Sequence, residues 1–226
     1  ESIDKRIVVS GIRGKSSTAR RLDDVFNRRG YSTLTKITGN QPHLIRNGDV
    51  IPIERTGPYT TLYENINVVR EFFPRIESYT PDEVAIFENQ GITEYTTRLI
   101  NERFVEPHVV VIANVRQDHQ DTLGKTIRDI ARAFSRTIPE GTKVVNGEQN
   151  EVVAEYMREE IEQQGGEMVR VNLPDDQQGK IGAETVYAVN DVLRLLDMEP
   201  VPEEQLNAYL DAIEPEWIRV DGGHVF

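Results

Sequence analysis

Phosphate chemistry is written most plainly into residues 10–17, Ser10-Gly11-Ile12-Arg13-Gly14-Lys15-Ser16-Ser17. Glycines let a backbone curl close to phosphate oxygens, and N–H groups at the start of a following helix point at the anion. A lysine adds a point charge, and a serine hydroxyl can face Mg²⁺. Gly11, Ile12, Arg13, Gly14, Lys15, Ser16 and Ser17 are therefore the candidate contacts to a nucleotide, with Lys15 as the catalytic cation and Ser16 as a metal ligand. The run departs from the common G-x-x-x-x-G-K-[ST] spacing, because Val9 stands where the first glycine belongs. One glycine short, it could also be an ordinary strand–turn–helix with a surface lysine.

Two other groups of residues could share that site. Glu88 closes the run Val84-Ala85-Ile86-Phe87 and precedes Asn89-Gln90-Gly91. A carboxylate at the carboxyl end of a strand beside a phosphate loop can hold a metal that bridges nucleotide phosphates, and a strand-end glutamate can equally cap the next helix. Asn114-Val115-Arg116-Gln117-Asp118-His119-Gln120-Asp121 closes the most apolar strand of the chain. His119 could ligate a metal or orient phosphate, Asp118 and Asp121 could bind an ion, and Asp121 is also well placed to N-cap the helix that follows. Arg13, Arg116 and His43 are exposed candidates for contact with a substrate carboxylate, or ordinary solvated charge.

Positioning these groups requires strands that deliver them to one edge. Apolar runs of strand length alternate with amphipathic stretches of helix length. Arg6–Ser10 is followed by a helix from about Ser16 to Arg29, and Val84–Phe87 by a helix near Glu94 to Arg103. His108–Asn114 is followed by a helix from about Thr126 to Thr137, and Lys143-Val144-Val145 by a helix from about Glu151 to Gln164. A last helix is expected from about Glu203 to Ile213. Nearly continuous apolar strands joined by helices predict an α/β fold: a three-layer, mainly parallel sheet with helices on both faces, and its chemistry at the carboxyl ends of the strands. Between Thr38 and Pro58 a concentration of Gly, Pro, Asn and Asp reads as a long ordered loop or small hairpin. Residues 214–226 read as a hinge after a single unit spanning 1–213.

Composition narrows the function. With 226 residues the chain supports one sizeable domain. The net charge of −12 is uneven: residues from Glu140 onward hold 20 acidic and 6 basic side chains, and the first 139 hold 18 and 20. That disfavours general nucleic-acid binding, which needs a basic face, and leaves cations near the N-terminal segment for a compact anion such as a nucleotide phosphate. The absence of cysteine removes disulfides and thiol chemistry and suits a reducing cytoplasm. No apolar run is long enough for a membrane-spanning helix, so a soluble chain is expected, and a start without Met or a signal pattern reads as a trimmed N-terminus.

Gly11-Ile12-Arg13-Gly14-Lys15-Ser16 resembles the G-x-x-G-K-[ST] loop of Mur ligases and folylpolyglutamate synthetases, and its Ile-Arg pair resembles the poly-γ-glutamate synthetase branch. Asn114, Asp118, His119 and Asp121 match the family's Asn-x-x-x-Asp-His-x-Asp signature in order. The resemblance implies that Glu88 and His119 bind Mg²⁺ together with Ser16, and that Asn114 belongs to the nucleotide site. Lys36-Ile37-Thr38-Gly39 is similar to a Lys-Thr-Thr-Gly segment of that branch, which would place Thr38 near the phosphates. Glu214-Pro215-Glu216-Trp217-Ile218-Arg219 follows the family's hinge, where Arg219 would reach the nucleotide. The implied cofactors are ATP and Mg²⁺, with glutamate or poly-γ-glutamate as substrate. Relatives of this type often work at the membrane with small partner subunits, and a homo-oligomer is a further expectation.

The chain also departs from the family. The lysine that many members carbamylate to hold a second Mg²⁺ has no counterpart in Ala131-Arg132-Ala133-Phe134-Ser135, and Thr185 stands closest to the usual adenine-contacting asparagine. The family's C-terminal domain would begin about where this chain stops. The implied reaction is amide ligation through an acyl phosphate. The alternatives are another ligase of the superfamily, or a nucleotide-binding subunit whose partner ligates.

Overall fold

A computed structural model describes residues 3–39, 41–54, 84–90 and 92–213, together with two terminal strands at 218–220 and 223–225 as backbone alone. Its strands are β1 (Lys5–Ser10), β2 (Thr33–Ile37), β3 (His43–Arg46), β4 (Asp49–Pro52), β5 (Val84–Glu88), β6 (Val109–Ile112), β7 (Lys143–Asn146) and β8 (Glu167–Arg170). They form one sheet in the order β4-β3-β2-β5-β1-β6-β7-β8. From β2 to β8 all neighbours are parallel, and β3 and β4 extend the sheet antiparallel at one edge.

The apolar runs are continuous because each strand feeds two cores. Ile7 and Val9 of β1 and Val109 and Val111 of β6 face one helical layer, while Val8, Val110 and Ile112 face the other. The first layer is α1 (Lys15–Arg28), α5 (Ala183–Leu195) and α6 (Glu203–Asp211). The second is α2 (Glu94–Leu99) with its π-helical continuation Ile100–Val105, α3 (Ile127–Ser135) and α4 (Glu151–Glu162). Each fully buried Val or Ile contributes about 1.5–3 kcal/mol, and burial on both faces is what holds a parallel sheet together. α1 applies the same rule at helical spacing, burying Ala19, Leu22, Val25 and Phe26.

Local chemistry sets the helix starts. Thr93 caps α2, accepting from Thr96 N–H, and Asn150 caps α4, accepting from Val152 and Val153 N–H. α3 begins with a capping box in which Thr126 accepts from Asp129 N–H and the Asp129 carboxylate accepts from Thr126 N–H. Asp121 therefore does not cap this helix, contrary to its sequence position: the turn at Thr122 and Leu123, closed on the His119 carbonyl, separates it from α3.

Two strands were not visible as apolar runs. β2 buries Thr33, Thr35 and Lys36 among its five residues, and β8 is Glu-Met-Val-Arg. The expected loop or hairpin from Thr38 is a hairpin, β3–β4, turning at Asn47-Gly48 with φ of 50° and 88°, the conformation of the commonest two-residue turn. It completes the main sheet through β2. Asn40 and residues 55–58 of that segment lie outside the described residues. In the expected hinge, Ile218–Val220 and Gly223–Val225 pair as antiparallel strands.

Candidate functional site

Strand β1 ends at Ser10 and α1 begins at Lys15, so the loop between them sits on the carboxyl edge of the sheet. Gly11 adopts φ +110°, and a Cβ there would lie 2.9 Å from Ala113 N and 3.0 Å from Asn114 N and O. The loop thus lies directly on the end of β6. Gly14, at φ +78°, occupies the N-cap of α1, where a Cβ would come 2.8 Å from Thr185 Cγ2. Both glycines are required by backbone conformation and by space.

Asn114 holds this loop from beneath. Its carbonyl accepts from Ile12 N–H (3.2 Å), its Oδ1 accepts from Arg13 N–H (3.1 Å), and its Nδ2 donates to Arg13 O (3.1 Å) and to Glu184 Oε1 (3.3 Å). Glu184 is itself buried, and Glu148 supports the same region by accepting from Val115 N–H and Asn150 N–H. By contrast the N–H groups of Gly14, Lys15, Ser16 and Ser17 find no acceptor among the described residues, which leaves four aligned donors at a helix start. Lys15 Nζ folds over the loop, donating to Gly11 O (2.9 Å) and Ile12 O (3.0 Å). Burial pushes the Lys15 ammonium below its ordinary range, with the nearby Glu88 carboxylate acting in the opposite direction.

Glu88, at 4 % exposure, gathers the candidates on the other side. Ser16 Oγ lies 2.9 and 3.0 Å from its two oxygens, and Thr38 N–H donates to Oε2 at 2.9 Å. Because Thr93 caps α2, Glu88 is not that helix's cap. A carboxylate and a hydroxyl at the mouth of a phosphate loop are hard oxygen donors of the kind Mg²⁺ takes, and Ser16 and Glu88 fit that ion.

His119 takes a different place. It is exposed, at φ +52°, on the loop after β6, and among the described residues it shares no hydrogen bond with Ser16, Glu88 or Thr38. Among the described residues no three His, Asp or Glu side chains gather closely enough to hold a metal. Asp118 instead accepts from Arg13 Nη2 at 3.0 Å, an exposed pair across the loop, while Arg116 and Asp121 face solvent. Arg219 lies in the terminal strand pair, and its side chain is outside the described residues. His43 corrects the expectation of an exposed histidine: it is buried in β3, its Nδ1 2.8 Å from Gln41 O and its Nε2 2.7 Å from Arg20 Nη2.

A cleft of about 680 Å³ opens beside the loop, between Arg13, Asn114, Thr185, Ile181 and Ile213. Arg21 projects into it, donating to Thr185 Oγ1 at 2.8 Å, with its guanidinium lowered from its ordinary pKa by burial. Neither Arg21 nor Glu184 carries a motif, so the sequence did not mark them. Glu148, two residues past the end of β7, repeats the strand-end pattern of Glu88 and could have been found that way. A second cleft, about 580 Å³, lies at the amino ends of the strands, where Arg6 and Lys143 donate to backbone carbonyls and no phosphate loop is present.

The profile of the Mur ligase middle domain matches residues 9–199. The chain is 30 % identical over 158 residues to the capsule biosynthesis protein CapB of Bacillus anthracis, covering 69 % of this chain and 32 % of that protein. It is 26 % identical over 182 residues to the PGA synthase CapB of Bacillus subtilis, covering 70 % and 45 %. This chain therefore spans less than half the length of either. Among solved structures, a folylpolyglutamate synthase from Thermotoga maritima superposes with a TM-score of 0.60 at 14 % identity, over 98 % of this chain and 62 % of that one. A bifunctional folylpolyglutamate synthase/dihydrofolate synthase, solved with Mn, AMPPNP and L-glutamate bound, gives 0.67 at 16 % identity, over 96 % and 59 %. These likenesses establish the three-layer fold.

Proposed function

Because the chain belongs to the Mur ligase family through the middle domain matched over residues 9–199, we propose that it is the ATP-binding core of an amide ligase acting on glutamate or its γ-linked polymer. The observation that carries this is the convergence of Ser16 and Thr38 on the buried Glu88, beside Lys15 and the four helix-start N–H groups of Gly14 to Ser17. The substrate assignment rests on the two CapB relatives. Residues 1–213 serve as the nucleotide unit and 214–226 as its hinge segment, in which Arg219 would reach the nucleotide. ATP and a reducing interior suit work at the cytoplasmic side; among the described residues no helix is long and apolar enough to cross a membrane.

In this reading the N–H groups of Gly14 to Ser17 cradle the β-phosphate, and Lys15 releases the loop carbonyls to meet the β- and γ-phosphates. Ser16 and Glu88 would hold Mg²⁺, which would supply positive charge against the phosphate oxygens. Thr38 N–H fixes the Glu88 carboxylate, and Asn114 keeps the loop from moving. A substrate carboxylate oxygen attacks the γ-phosphorus, the bond to the β-phosphate oxygen breaks, and ADP leaves an acyl phosphate. An amine then forms the C–N bond, losing a proton as phosphate departs. Positioning and charge stabilisation carry both steps.

Hydroxylamine tests this without requiring the natural amine. With ATP, Mg²⁺ and a γ-linked glutamate oligomer, the expected products are ADP and a glutamyl hydroxamate in equal amounts. Nucleotide binding without hydroxamate would reassign the chain as a nucleotide-binding subunit. Hydroxamate from a folate or cell-wall precursor, and not from glutamate, would move it to another branch.

A further inference from the structure

Consecutive arginines on α1 serve opposite flanks of the phosphate loop. Arg21 turns toward α5 and donates to Thr185 in the cleft on the β6 side. Arg20 turns the other way, toward β3, where its Nη2 meets His43 Nε2 at 2.7 Å. His43 Nδ1 lies 2.8 Å from the Gln41 carbonyl, which can only accept, so Nδ1 carries the proton and Nε2 presents its lone pair to the guanidinium. A neutral imidazole thus orients Arg20 without cancelling its charge. Arg20 is exposed, makes no ion pair among the described residues, and uses one of its five N–H groups here.

Position gives this cation its meaning. Arg20 stands one helical turn after Ser16 on the same face of α1. His43 is the register partner of Ile37, whose neighbour Thr38 donates to Glu88, which in turn accepts from Ser16. Along the carboxyl edge of the sheet the order is therefore His43 on β3, Thr38 after β2, Glu88 on β5, the phosphate loop on β1, and Asn114 after β6. The cleft of about 680 Å³ lies on the β6 side, and a nucleoside seated there would leave the terminal phosphate toward Glu88 and Thr38. In-line transfer demands that the attacking group approach from the side away from the leaving ADP, which is the β2–β3 side where Arg20 stands.

We propose that Arg20, oriented by His43, binds a carboxylate of the acid substrate, holding a second carboxylate of the same molecule in line with the terminal phosphate. The substrate class is a di- or polycarboxylate, and a monocarboxylate would lack the anchor. This rests on the ligase reading above. Because Arg20 is exposed, its replacement leaves the fold intact; Arg20→Lys retains the charge but loses the planar fork.

The test is calorimetric titration of γ-glutamyl-glutamate into the chain saturated with Mg²⁺ and AMPPNP, with the nucleotide titrated separately. Wild type is expected to bind the dipeptide. Arg20→Gln should weaken it by about tenfold to a hundredfold, as loss of a charge-assisted pair does, with Arg20→Lys intermediate and the nucleotide affinity unchanged in both. A dipeptide whose α-carboxylates are amidated should bind wild type as weakly as the free dipeptide binds Arg20→Gln. Equal dipeptide affinity in wild type and Arg20→Gln, or no dipeptide binding to the nucleotide-loaded wild type, overturns the anchor. Failure of wild type to bind AMPPNP overturns the ligase reading itself.

Discussion

The two flanks of the phosphate loop are built on different principles. On the β6 flank, Asn114 ties its main chain and its amide to the loop and to Glu184, and every one of these contacts is made within the chain. On the β5 flank, the groups that meet one another are ones a nucleotide and its metal would also use: the Glu88 carboxylate with the Ser16 hydroxyl, and the Lys15 ammonium, which rests on two loop carbonyls. The first flank is a scaffold. The second is a set of charged groups held in place by provisional partners. Buried polar networks confer rigidity when all members are satisfied, whereas a functional site keeps capacity in reserve.

Substitutions separate the two. Asn114→Ala removes three side-chain hydrogen bonds and strands the Arg13 amide and carbonyl, so denaturant unfolding should report a loss of about 3 kcal/mol. A change below about 1 kcal/mol would show that the loop holds its shape unaided. On the other flank, Lys15→Met should weaken nucleotide binding by roughly a hundredfold, about 2.7 kcal/mol, with thermal stability unchanged or raised, since burial already disfavours that ammonium. Equal losses of stability in both variants would erase the distinction.

The loop after β6 gives smaller effects. Thr126→Ala breaks the α3 capping box and should cost about 1 kcal/mol of stability, while Asp121→Ala should change it by less than about 0.5 kcal/mol. The reverse order would restore Asp121 as the cap.

The smallest effect comes from beneath the Glu88 flank. Asp23 of α1 accepts from Thr35 Oγ1 at 2.7 Å, and burial raises its carboxyl above the ordinary range despite that bond. The folded chain therefore holds this proton more tightly than the unfolded chain. The resulting stability is full below the ordinary carboxylate pKa, near ~3.9, and is lost as pH rises through the raised folded value. Asp23→Asn should flatten that part of the stability curve, matching or exceeding wild type at neutral pH and converging with it below about pH 4.

Much of this was legible in the residues themselves. The runs at Arg6, Val84, His108 and Lys143 gave the central strands because burial on both faces demands uninterrupted apolar sequence, and the fold class followed. β2 escaped notice because its interior holds threonines and a fully buried lysine, whose burial is a tertiary fact. The loop from Gly11 to Ser17 could be read because left-handed glycines and a helix start leave a local signature. The pairing of His43 with Arg20 could not, since it joins β3 to α1 across 23 positions of sequence. Asp121 read as a cap although the helix itself was expected from about Thr126, because spacing alone does not show the turn at Thr122 and Leu123 that separates Asp121 from α3.

Glu88 and Ser16 are proposed as the metal-binding half of a nucleotide site. Calorimetric titration of AMPPNP with and without Mg²⁺, into wild type and Glu88→Gln, tests it most directly. Mg²⁺ is expected to tighten wild-type binding by about tenfold or more, some 1.4 kcal/mol, and Glu88→Gln to bind the metal-free nucleotide normally but gain nothing from Mg²⁺. A Glu88→Gln variant with the full Mg²⁺ enhancement would contradict it.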